Sequence, residues 1–149
     1  MAADAWKIYD SFKQAISDGS IDMGDAGAGV FKCALLLSGY IPDQTHGVYG
    51  DLTNQVAGSY GYDTAGKALT TVTWVDTSGT TKWDCDNIVW TASGVSIVAY
   101  YAVIYQVATG QLIAYSLLDN APADVTATNG NTFTITIHAN GVFTLSGGW

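Results

Sequence analysis

Two carboxylates flank a cysteine in Asp84-Cys85-Asp86, and Asp22 and Asp25 lie close together in a glycine-rich stretch. Paired acids of this kind could serve a glycosidase, and clustered acids bind calcium through oxygen. Asp near a strand end also satisfies turn amides, and that role is the expected one for Asp84 and Asp86. Asp18-Gly19-Ser20-Ile21-Asp22 approaches a calcium loop but lacks the Asp/Asn spacing and terminal Glu of an EF-hand. His46 sits in a Gly/Tyr-rich segment and His138 just before Asn140-Gly141, and no Gly-x-Ser-x-Gly elbow supplies either with a nucleophile. Cys33 and Cys85 make no zinc motif; reduced, buried thiols are expected for them. Phosphate-loop and dinucleotide fingerprints are missing as well. The chain is therefore expected not to be an enzyme, with no catalytic residue, no cofactor and no metal site assigned.

What remains is an aromatic supply of five Trp, nine Tyr and four Phe. Trp74, Trp83 and Trp90 fall in strand-like segments, where packing in the core is their expected role. Aromatic residues outside such segments can anchor a protein interface or stack on a sugar. On that ground Trp6, Ile8 and Tyr9 near the N-terminus, Tyr40, Tyr49, Tyr60 and Tyr62 in the long central loop, and Trp149 are the expected interface residues. The charge pattern agrees. Of 149 residues only 12% are charged, all thirteen acids are Asp, all five bases are Lys, and the net charge is −8. A strongly acidic chain without Arg is a poor partner for a phosphate backbone, so no nucleic acid is expected. Interface centres are depleted in charge and rich in aromatics, so packing against other chains suits this composition.

The elements that must position these residues are mostly strands. One chain of this length makes one domain, with residues 1–29 as an arm, short helix and loop and residues 30–149 as the sheet-built body. Trp6-Lys7-Ile8-Tyr9 alternates, and Phe12, Ala15 and Ile16 share one face of a helix capped by Asp10 or Ser11, running through Ser17 and ended by Asp18-Gly19. Residues 30–38 are nearly all apolar, as for a strand buried on both faces. Residues 39–66 read as a long loop with one helical turn capped by Asp51. Beyond Lys67, short alternating runs recur with a turn every several residues, among them Thr77-Ser78-Gly79-Thr80. Residues 95–105 read as one long central strand. Asn129-Gly130 is the strongest hairpin signal and joins residues 125–128 to 132–138. About eight or nine strands result. The fold class expected is all-β and mainly antiparallel: a single-domain β-sandwich, jelly-roll-like, with one short N-terminal helix. No apolar run reaches the ~20 residues that cross a bilayer, and no leader-like start is seen, so synthesis in the cytoplasm and no membrane association are expected.

Several segments, in order, carry a resemblance. They are Trp-Lys-Ile-Tyr-Asp-Ser-Phe-Lys (6–13), Phe-Lys-Cys-Ala-Leu-Leu-Leu-Ser (31–38), Val-Tyr-Gly-Asp-Leu-Thr-Asn-Gln-Val (48–56) and Trp-Thr-Ala-Ser-Gly (90–94). Tyr-Ala-Val-Ile-Tyr (101–105), Ser-Leu-Leu-Asp (116–119) and Pro-Ala-Asp-Val-Thr-Ala-Thr-Asn-Gly-Asn-Thr (122–132) follow. With them the chain resembles small virion structural proteins of tailed bacteriophages. The resemblance implies a capsid decoration, or cement, protein assembled in the host cytoplasm. Its implied partners are the major capsid protein and sister subunits of a homo-oligomer. A tail or receptor- and carbohydrate-binding virion protein is the alternative. No catalytic residue comes with the resemblance, and Gly147-Gly148-Trp149 extends past the usual Phe-Thr-Leu-Ser ending.

Overall fold

The computed structural model describes residues 2–147. Its strands are β1 (Lys7–Ile8), β2 (Phe31–Leu36), β3 (Lys67–Ala68), β4 (Thr73–Thr77), β5 (Thr80–Asp84) and β6 (Ile88–Thr91). They continue as β7 (Ile97–Ala99), β8 (Tyr101–Gln106), β9 (Leu112–Leu117), β10 (Val125–Ala127), β11 (Thr132–Ile135) and β12 (Phe143–Ser146). The one α-helix among the described residues, α1, spans Asp10–Asp18 and stops at Gly19, whose φ of 76° is left-handed. That ending is as expected. The start differs: Tyr9 occupies the N-cap without a side-chain cap bond, because its ring is committed to the interior.

All pairings between named strands are antiparallel, giving the all-β, sandwich-like arrangement expected. The strands divide into a five-stranded sheet β1-β9-β8-β2-β3, a three-stranded sheet β12-β5-β4, and two pairs, β10-β7 and β11-β6. This partition is finer than the two sheets of a jelly roll. Period-two alternation sorts the five-stranded sheet into two apolar faces. Phe31, Cys33, Leu35, Ala102 and Ile104 point into the main core, together with Trp83, Trp90, Phe133 and Phe143 from the smaller sheets. Ala34, Leu36, Val103, Tyr105 and Tyr115 point the other way, into a second cluster. A sheet apolar on both faces must be covered on both, and residues 37–66 supply the second cover by folding Tyr40 and Leu52 down onto it.

Two expectations are corrected here. Residues 95–105 are not one strand: β7 pairs with β10, whereas β8 pairs with β2 and β9, and the chain changes sheet at Tyr100. A bend of this kind is how one strand turns the corner between packed sheets. Asn129-Gly130 is a turn but not a hairpin. Of its two residues only Gly130 has positive φ, at 85°, whereas a type I′ hairpin needs both. β11 pairs instead with β6, setting Phe133 opposite Trp90 and Ile135 opposite Ile88, so that four buried side chains meet in two pairs. Asp51 likewise ends its 3-10 turn (Tyr49–Asp51) rather than starting it; its carboxylate reaches back to accept from the amides of Gly47 and Val48 at 2.8 and 3.0 Å.

Candidate functional site

The residues that could do chemistry are taken up by local structure. Asp84 pairs with Lys82 at 2.8 Å and accepts from the Cys85 amide. Asp86 accepts from the hydroxyls of Thr70 and Thr71 at 3.1 and 2.6 Å. Asp22 and Asp25 close tight turns onto the amides of Gly24 and Gly27. The Nδ1 atom of His138 accepts from the Asn140 amide at 3.1 Å. Among the described residues no three His, Cys, Asp or Glu side chains cluster as a metal would require. Cys33 and Cys85 are both free and buried.

The expected interface residues divide. Tyr9, Tyr40 and Tyr62 are buried in the protein's own interior, which corrects their assignment to an outer contact surface. A buried phenol needs a partner for its hydroxyl, and each has one. Tyr9 and Tyr40 share a bond of 3.0 Å, Tyr40 reaches His46 Nδ1 at 3.2 Å, and the Leu35 amide donates to Tyr62 at 2.9 Å. Trp6 and Ile8 are half-buried against the main core, and Tyr49 is half-buried against the second cluster, stacked on Tyr105 at 4.4 Å. Tyr60 stays outside at 53% exposure. Trp149 lies outside the described residues.

The N-terminal segment is part of the domain rather than a free arm. The amide of Asp4 donates to Leu117, that of Tyr9 to Ile113, and β1 completes the edge of the five-stranded sheet. Deleting residues 1–9 would therefore remove β1 from the sheet and Tyr9 from the second cluster.

In place of the buried tyrosines, the loop over residues 37–66 presents Leu37, Ile41, Val48 and Tyr60 to solvent, Ile41 at 80% exposure. One signal in the sequence could have marked the exchange. Strands apolar on both faces demand a second cover, and the Tyr-rich loop was the segment free to provide it. A groove of about 700 Å³ lies elsewhere, between Asp4 and Trp6 on one side and Phe133, Ile135 and His138 on the other. Nothing in the spacing of those residues announces it.

Burial has an electrostatic consequence for the tyrosines and thiols. It pushes the Tyr9 and Tyr62 hydroxyls and the Cys33 thiol well above their ordinary values of 10.0 and 9.0. Cys85 is pushed up to about 12, first by burial and then by Asp84 and Asp86, and Tyr105 also to about 12, first by burial. A group whose folded pKa is raised contributes stability that is complete below its unfolded value and lost as pH rises toward the folded one. The denaturant midpoint is thus expected to hold steady up to about pH 9, then fall as the unfolded chain's Cys and Tyr ionise. A midpoint unchanged between about pH 9 and pH 11 would contradict this assignment of buried, protonated side chains.

No family model, curated protein or solved structure matches the chain. Among the described residues no helix is long and apolar enough to cross a membrane.

Proposed function

We propose that the protein is a non-enzymatic structural component of a tailed-phage virion, a capsid decoration protein that binds the head shell. The observation that carries this is a division of labour. Asp84, Asp86, Asp22, Asp25 and His138 are engaged in turns and short local bonds, while a low-charge loop over a fully packed sheet displays Ile41, Val48 and Tyr60. Apolar side chains held out by a rigid sheet suit burial against a neighbour. Repetition over a lattice then turns weak single contacts into firm attachment. The resemblance to phage virion proteins supports a neighbour within the virion, and the head shell is the one proposed. The partners are the major capsid protein and sister copies.

Dissociating purified particles of the encoding phage and counting proteins by mass spectrometry tests this. The chain is expected at a copy number on the scale of the shell subunits. An Ile41→Asp variant, which alters an exposed side chain, is expected to fold normally and lose roughly tenfold or more in affinity for the shell, since a desolvated carboxylate in an interface costs over ~1.4 kcal/mol. Particles free of the chain would refute the proposal.

The groove favours one second reading, a tail or receptor-binding protein that holds a carbohydrate. Its volume of about 700 Å³ suits a small ligand, and Trp6 and Asp4 offer an aromatic face and an acceptor. Binding of the isolated domain to a glycan array, lost in Trp6→Ala, would favour it over the shell.

A further inference from the structure

β4 is the longest strand at a sheet edge among the described residues, and Asp76 is its one charged residue. Edge strands are normally blunted by charged side chains, Lys above all, by Pro, a bulge or a covering segment. Thr73-Trp74-Val75-Asp76-Thr77 has no Lys or Pro, pairs with β5 in unbroken register, and leaves Val75 at 52% exposure. The two short edges of the five-stranded sheet, β1 and β3, have two residues each, too few to template a partner.

The turn beside β4 determines which of its backbone groups are free. Ser78 and Gly79 both have positive φ, 54° and 82°, the signature of a type I′ turn, so Thr77 and Thr80 exchange both backbone bonds. Alternation along an antiparallel ladder then aims the N–H and C=O of Thr73, Val75 and Thr77 at β5, and those of Trp74 and Asp76 outward. No backbone bond from a turn or loop of the described residues reaches those outward groups.

We propose that β4 is a homodimerisation strand, pairing antiparallel with β4 of a second copy about a two-fold axis through Val75. The sequence is self-complementary in this register. Trp74 lies opposite the partner's Asp76 as a hydrogen-bonded pair, twice over, so all four outward N–H groups and all four outward C=O groups bond. Val75 meets the partner's Val75 at the close, non-bonded position, and Thr73 meets the partner's Thr77, which makes every pair on the outer face β-branched. Centring the axis on Asp76 would set two carboxylates face to face, and centring it on Trp74 would overlap only three residues of each strand. A one-residue slip would aim outward groups at inward ones.

The contact is small. Five paired residues fall short of the ~1,200 Å² of a stable interface, and each copy carries a net charge of −8. The dimer is therefore weak in dilute solution and gains strength where copies are held side by side. It does not depend on the virion proposal, since it is measured on the isolated protein.

A disulfide trap reads the register directly. On the axis, Val75→Cys brings two thiols within the ~7 Å Cα separation a disulfide allows. Thr73→Cys leaves them about 13 Å apart, four residues of strand. Cys33 and Cys85 are buried and stay out of the reaction. At physiological salt, with mild oxidant, Val75→Cys is expected to form covalent dimer at least ~10 times faster than Thr73→Cys, reflecting that geometric limit. The double variant Thr73→Cys/Thr77→Cys is expected to match Val75→Cys. Equal rates for the two single variants, or a double variant no faster than Thr73→Cys, would overturn the proposal. Circular dichroism identical to the parent confirms that all three variants are folded.

Discussion

Trp83→Ala is expected to lower stability by about 3–5 kcal/mol, the range for deleting a buried aromatic ring. The indole is fully buried where the three-stranded sheet meets β2, with the rings of Phe31 and Phe143 at 5.2 and 5.7 Å. Its Nε1 donates to the Met23 carbonyl at 3.1 Å and so ties the Asp- and Gly-rich loop after α1 to the core. Alanine removes the ring contacts, leaves a cavity among rigid sheets and orphans a carbonyl. In a chain of this size each kcal/mol moves the melting temperature by roughly 2–4 °C, so a fall of about 10 °C or more is expected in calorimetry. Substitution by Phe separates the contributions. Trp83→Phe still loses the bond to Met23, whereas Trp90→Phe loses none, because the Trp90 Nε1 has no partner among the described residues. The first is expected to cost about 1–3 kcal/mol more than the second. Equal costs would remove the Met23 tie from the account.

Gly66→Ala is expected to be as damaging by a different route. Gly66 precedes β3 with φ of 92°, and a Cβ there would collide with the Cys33 carbonyl oxygen and sit 2.8 Å from Ala34 Cα. Both belong to the backbone of β2, which is hydrogen-bonded to β8 along its whole length. Neither can retreat without breaking the central ladder, and the Tyr105 hydroxyl holds the neighbouring Ala65 carbonyl at 2.7 Å. Left-handed strain of ~1–2 kcal/mol and overpacking of ~1–3 kcal/mol together predict a loss of about 2–5 kcal/mol. Gly130→Ala is the matched control: its φ of 85° is similar, but a Cβ there meets nothing within 4 Å. Only the strain is expected there, ~1–2 kcal/mol, and similar denaturant midpoints for the two variants would contradict the close approach of residue 66 to β2.

Elements whose pattern is local were legible in the sequence. The strand within residues 30–38, the helix ended by Asp18-Gly19 and the turn at residues 77–80 all stand where the run of apolar residues and turn chemistry put them. What escaped depends on distant partners. Ser78-Gly79 forms the type I′ hairpin that Asn129-Gly130 was expected to form, although Asn is the better first residue of such a turn. β11 sets Phe133 and Ile135 opposite Trp90 and Ile88, on a strand about forty residues earlier that no local pattern marks as its partner.

The tyrosines follow the same logic. Tyr40 and Tyr62 read as surface residues because their segment has no period, yet Ala34, Leu36 and Val103 on the second sheet face needed the cover that Tyr40 gives, while Tyr62 packs beside Trp90 in the main core. Burial of Tyr40 leaves its neighbour Ile41 outside, so the loop keeps an apolar exterior through a residue that aromatic content alone does not mark. The groove beside Trp6 was illegible for a related reason: its walls come from residues 3–6 and 133–142, which only the completed sheet order brings together.

The most direct test of the proposed virion role is a cryo-EM map of purified particles whose genome carries the gene for this chain. The account predicts density for this fold at regular positions on the head, with residues 37–66 facing the shell and Ile41 and Tyr60 in the contact. Particles whose heads lack the fold, or that carry it with this loop turned to solvent, would contradict it.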